Sequence, residues 1–188
     1  MSFLSRAFEK MFLSPEKLQL KAAFLQATQA VRSHDTPTLK AVLGNTKFDQ
    51  DKNLSLLVGA ISIDNVEGFE TILDGTGTSV KNVLTLHNYL PLATQSLDTP
   101  MLPYAISRGS EKISRFLAGH PDTDPEARAC MSYFNACVCP STGTVYAHST
   151  TVRLRKAQSL AEKMGMPGVA EIIRARTEAV KIPFASRN

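Results

Sequence analysis

The chain has 188 residues, a net charge of +4, 43% hydrophobic and 7% aromatic residues, no tryptophan and three cysteines. That size suits one domain or one continuous array with an apolar core along its length. It has no apolar run long enough to cross a bilayer and no leader-type N-terminus, and three cysteines within 130–139 cannot make a disulfide framework.

These properties predict a protein that is cytoplasmic as synthesised, with reduced thiols. Secretion into a host cell without a standard leader is compatible with them. The low aromatic content argues against the stacking platforms of single-strand nucleic-acid binders. Charge is unevenly placed: from Arg153 onward eight basic residues stand against three glutamates, net +5, so the preceding chain sums to −1. Such asymmetry suits an acidic partner, nucleic acid or an anionic membrane, or a solvated basic helix face.

Residues 1–15 carry an amphipathic helical pattern, with Phe3, Leu4, Ala7, Phe8, Met11 and Phe12 on one stripe. It reads as a cover for the open end of a stack, or as an interfacial anchor or export signal. Ser14-Pro15-Glu16 then caps a new helix.

From there a helix, corner, helix phrase occurs four times, beginning at Ala30, Ala60, Ala105 and Ala161. Each alanine is followed by a polar or glycine corner: His34-Asp35, Asp64-Asn65, Gly109-Ser110, Gly165-Met166. A second apolar stripe follows, carried by Leu39, by Phe69, by Ile113 with Phe116, and by Val169 with Ile172. The units are 16–45, closed by Gly44-Asn45; 46–77, closed by Asp74-Gly75-Thr76-Gly77; 98–119; and 152–180, with 181–188 as a tail.

Two insertions interrupt the period. Residues 78–97 read as helical or mixed. In 120–151, Asp124-Pro125-Glu126 is expected to start a helix through Ala129, Met131, Tyr133, Phe134 and Val138, before a turn at Pro140-Ser141-Thr142-Gly143. The last helix pair is expected at 152–163 and 167–179. A single helix pair cannot bury both of its stripes, so neighbouring pairs must stack. The expected fold is therefore all-α, a solenoid of helix pairs with about four degenerate repeats.

The stretch Met101-Leu102-Pro103-Tyr104-Ala105-Ile106-Ser107-Arg108-Gly109-Ser110, with Ile113, Phe116 and Leu117 after it, resembles an ankyrin repeat. Lys156-Ala157-Gln158-Ser159-Leu160-Ala161-Glu162-Lys163-Met164-Gly165, followed by Val169-Ala170-Glu171-Ile172-Ile173, resembles a closing one. Thr99-Pro100 stands one residue early, Pro103 replaces the pattern's histidine, Gln158 replaces a core leucine, and both insertions break the 33-residue period. The resemblance implies a protein-binding module with no catalytic site in the repeats and no cofactor.

Candidate contact residues are His87 and Tyr89 in the first insertion, Tyr146 and His148 in the second, Tyr104 and Arg108 in the third unit, and Arg153 and Arg155 at the entry to the last. Tyr89 and Tyr146 could instead pack their own loops down. The expected partner is another protein, and an acidic one would suit the arginines. A stand-alone array of this kind has the make-up of a microbial effector or inhibitor. The alternatives are electrostatic binding of nucleic acid or anionic lipid through the basic C-terminal segment, zinc held by Cys130, Cys137, Cys139 and His148, and thiol catalysis by Cys139 with His148. Asp74-Gly75-Thr76-Gly77 lacks the lysine and preceding strand of a phosphate loop and reads as a turn.

Overall fold

The computed structural model describes residues 14–90, 93–138 and 145–181, with both insertions described at the level of backbone and register. Residues 1–13 of the expected first helix, the turn at 140–143, Cys139 and residues 182–188 of the tail lie outside the described residues. The chain divides into two compact units, Met1–Val80 and Lys81–Asn188.

The first unit holds α1 (Pro15–Arg32), α2 (Thr36–Asn45), α3 (Gln50–Ser62) and α4 (Val66–Thr76). The second holds β1 (Val83–Leu90), β2 (Ala93–Pro100), α5 (Met101–Ser107), α6 (Glu111–Gly119), β3 (Arg128–Val138), β4 (Val145–Lys156), α7 (Ala157–Lys163) and α8 (Pro167–Lys181). In each unit the first helices of the two pairs pack on one another, α1 on α3 and α5 on α7, and so do the second helices, α2 on α4 and α6 on α8. The packed body of each unit is helical, as expected.

The four corners share one hydrogen-bond pattern. The amides of Asp35, Asn65, Ser110 and Met166 donate to the carbonyls of Ala30, Ala60, Ala105 and Ala161, at 2.9–3.1 Å. The amides one residue earlier, at His34, Asp64, Gly109 and Gly165, donate to Val31, Ile61, Ile106 and Glu162. This is the Schellman termination, which requires a left-handed residue at the earlier position. His34 (φ 56°), Asp64 (54°), Gly109 (78°) and Gly165 (74°) all adopt it.

The later corner residue also opens the second helix: its carbonyl accepts the amides of Leu39, Phe69, Ser114 and Ala170 in the four copies. Asp35 and Asn65 add side-chain caps, to the amides of Thr38 and Gly68. One turn thus ends a helix and starts the next with almost no linker.

The alanine of each phrase lies in the core of its unit. Ala30, Ala60, Ala105 and Ala161 are all essentially inaccessible, as are Leu57, Ile61, Leu102, Ile106 and Leu160 around them. On the second helices the buried positions include Leu39 and Val42, Phe69 and Ile72, Ile113 and Leu117, and Val169 and Ile173. Each such side chain contributes about 1.5–3 kcal/mol. Phe116 and Ile172, expected on this stripe, are half-buried at its margin.

Asn65 ties the first pair to the second. Its side chain is 3% exposed, its Nδ2 donates to the Val31 carbonyl at 2.9 Å, and its Oδ1 accepts from the Gly68 amide at 2.9 Å. A Cβ at Gly68 would lie 2.6 Å from that Nδ2, so glycine is what lets the amide sit there.

Four expectations need correction. Residues 128–138 form strand β3 rather than a helix, because Asp124 caps only a turn, accepting from the Glu126 amide at 2.8 Å, and β4 supplies a partner along the whole length. The last unit's first helix starts at Ala157, not at Val152, whose residue pairs with Ser132. The first insertion is a hairpin that continues past Leu97 to Pro100. Gly44 and Asn45 lie inside α2, and the extended Thr46 ends it.

Gly109→Ala and Gly165→Ala are each expected to lower unfolding free energy by about 1 kcal/mol, and His34→Gly to raise it by a similar amount, read from urea midpoints at constant slope. Asn65→Ala is expected to cost about 2–3 kcal/mol by stranding the Val31 carbonyl and the Gly68 amide. Asn65→Asp should cost at least as much, since it sets a carboxylate against a carbonyl, and thermal denaturation of the three proteins side by side checks the order.

Candidate binding surface

Both insertions are antiparallel hairpins that lead straight into a first helix. Pro100 is paired with Val83 and followed by Met101 of α5, while Lys156 is paired with Arg128 and followed by Ala157 of α7. The spacing is repeated, with Met101 four residues before Ala105 and Ala157 four before Ala161. The second hairpin is rooted in the core, because the Ala157 amide donates to the Ala127 carbonyl at 3.0 Å and both alanines are buried. β2 and β3 are neighbours, so the two hairpins stand beside one another within the second unit.

Directly opposed residues of a two-stranded ribbon share a face. In the first hairpin His87 opposes Ser96 and Tyr89 opposes Thr94, on the face that also carries Thr85 and Asp98. The positions of Leu84, Leu86, Leu90, Ala93 and Leu97 fall on the other face.

In the second hairpin Tyr146 opposes Cys137, His148 opposes Asn135, Arg153 opposes Met131 and Arg155 opposes Ala129. Simple alternation along β4 would separate the tyrosine and histidine from the arginines. The register, however, shifts between Tyr133, which opposes Thr151, and Asn135, which opposes His148. One residue of β3 therefore spans two of β4, the arrangement of a bulge. The positions of Tyr146, His148, Arg153 and Arg155 consequently share one face. The opposite face collects Cys130, Phe134, Ala136 and Val138 with Val145, Ala147, Val152 and Leu154.

The other two sequence candidates divide. Arg108 is exposed at the C-cap of α5, with its backbone amide donated to Tyr104 and Ala105. Tyr104 is 8% exposed and belongs to the core of the second unit rather than to a contact face.

The four-ligand zinc arrangement fails on register. Cys130 and Cys137 fall on opposite faces of β3 and stand about 23 Å apart at ordinary strand rise, far beyond the reach of one ion. Among the described residues no group of histidines, cysteines or carboxylates is placed to hold a metal. His34 sits in a corner, and His120 ends α6 with its Nδ1 accepting from the Asp122 amide at 3.2 Å, local roles of the kind expected for corner histidines. No described helix is long and apolar enough to cross a membrane.

Much of the basic C-terminal charge has local partners. Arg176, whose role composition could not reveal, donates to the carbonyls of Ala118 at 2.8 Å and of Pro121 and Thr123 at 3.0 Å. Its guanidinium closes the C-terminus of α6, where the helix dipole favours a cation. Arg174 pairs with Glu171 at 3.2 Å and Lys156 with Glu126 at 3.1 Å, all on exposed side chains. Lys81, at the root of the first hairpin, meets Asp122 at 2.9 Å, and that hydrogen bond together with the lysine charge holds the Asp122 carboxyl below its ordinary range.

No protein-family model matches the chain, and none of the curated proteins compared with it matches either.

Arg176→Ala is expected to destabilise the protein by about 2–3 kcal/mol, since three carbonyls lose a charged donor. Arg176→Lys should recover less than half of that, because an ammonium cannot present a planar fork; chemical denaturation of both variants checks this.

Proposed function

We propose that the protein is a binding module for another protein, an ankyrin-like array whose helix pairs hold two hairpins as contact surfaces. The observation that carries the reading is the register of the hairpins. It groups His87 with Tyr89 on one face, and Tyr146, His148, Arg153 and Arg155 on another, in hairpins that lead directly into α5 and α7. Amphipathic aromatic and arginine side chains are the types that dominate interface energetics. The repeated corner supports the ankyrin-like part of the reading, since it is the kind of turn that lets short helix pairs stack at a fixed spacing. In this reading the protein acts by occupying a partner's surface, as an inhibitor or effector does.

The test is affinity capture with the full chain as bait. Wild type is expected to retain a specific protein reproducibly, and Tyr89→Ala with Tyr146→Ala to reduce that retention by about tenfold or more while leaving the helical circular dichroism unchanged. Failure of wild type to retain any specific protein, across source and host extracts, would overturn the reading.

A further inference from the structure

The second hairpin has a charge composition unlike the rest of the chain. From Arg128 to Lys156 there are four basic residues and no aspartate or glutamate. All four cluster at the root, where Arg128 opposes Lys156, Ala129 opposes Arg155 and Met131 opposes Arg153. Lys156 is already engaged by Glu126. Arg153 and Arg155, two residues apart on β4, share their face with Tyr133, His148 and Tyr146. From Arg155 to Tyr146 this strip runs about 30 Å.

The strand that carries most of the strip is also an edge. Among the described residues β4 pairs only with β3, in a sheet of two strands. An edge strand offers a row of amides and carbonyls to any extended segment that comes alongside. The charge decides which segment is admitted. A second copy of β4 has no carboxylate to set against Arg153 and Arg155, whereas an acidic strand would bring carboxylates against them.

We propose that β4 accepts an extended acidic segment of a partner protein by strand addition. Carboxylates spaced two residues apart meet Arg153 and Arg155, and the Tyr146 and His148 end of the strip takes apolar or aromatic residues. The inference rests on the protein-binding reading above and names the kind of partner. A nucleic acid is a poorer fit. Two arginines neutralise about two phosphates, against some six to ten contacts in a nucleic-acid binder held by its phosphate contacts. Arg174 and Arg176, which would extend a basic track, are engaged by Glu171 and by the carbonyls at and beyond the end of α6.

The probe is a fluorescein-labelled ten-residue peptide of alternating glutamate and valine, with glutamine–valine and lysine–valine peptides and a ten-nucleotide thymidine strand for comparison, all followed by anisotropy with the full chain. The glutamate peptide is expected to bind at least about tenfold tighter than the glutamine peptide, with log K falling against log salt at a slope of about −2. R153E/R155E should lose that preference and turn toward the lysine peptide, while R153K/R155K should keep affinity within about threefold. If the charge-reversed protein loses its helical signal, R153Q/R155Q is read in its place, with loss of the glutamate preference expected. No preference for glutamate over glutamine, an unchanged preference in the arginine variants, or tighter binding of the thymidine strand would each overturn the proposal. The two readings separate in affinity capture: a partner held equally by wild type and R153E/R155E ends the acidic-strand proposal and leaves protein binding standing, whereas capture of no protein by wild type ends both.

Discussion

The hydrogen bond from the second corner residue back to an alanine carbonyl five positions earlier is the constraint from which the helical architecture follows. It forces the intervening residue into the left-handed region and turns the chain within two residues. The same second residue then opens the next helix. Because no linker intervenes, the two helices of a pair keep a fixed relation, and the alanine that accepts the bond is buried in the core of its own unit. Larger side chains at Ala60 or Ala105 would overpack the core of the unit each belongs to. The corner and the small residue are thus one requirement seen twice.

Each unit meets a second problem, which is to fasten one pair to the next beyond apolar burial. The first unit uses Asn65, which reaches across from its corner to the Val31 carbonyl while capping its own helix. The second uses Arg176, whose guanidinium gathers three carbonyls at and beyond the end of α6. Both devices put a planar side chain with several donors or acceptors where backbone groups would otherwise lack partners. The second also removes one cation from the basic segment that composition had suggested as an electrostatic surface, and pairs at Lys156 and Arg174 engage two more.

The hairpins stand apart from this helical logic. They pair within themselves, lead without a loop into α5 and α7, and hold on one face the residue types suited to recognition. Their opposite faces concentrate Leu, Val, Ala and Phe positions, which accounts for strands where helices were expected. A period of two read over 145–148 and 151–154 separates apolar from polar residues once the register between the strands is known. Read as a helix, the same residues also give a passable apolar stripe, so periodicity alone could not choose between them.

The sequence by itself determined the helix pairs: the four alanine phrases, their corners and the cap at Ser14 are local chemistry, legible because each needs only residues within about six positions of one another. It also offered the candidate contact residues, of which Tyr104 lies in the core. Only the tertiary structure decided that the insertions are paired strands, because strand pairing joins residues up to some thirty positions apart and leaves no short-range signature. The bulge opposite Phe134 belongs to the same class. It brings Tyr146 and His148 onto the face of Arg153 and Arg155, and that depends on how β4 meets β3, which neither strand specifies alone.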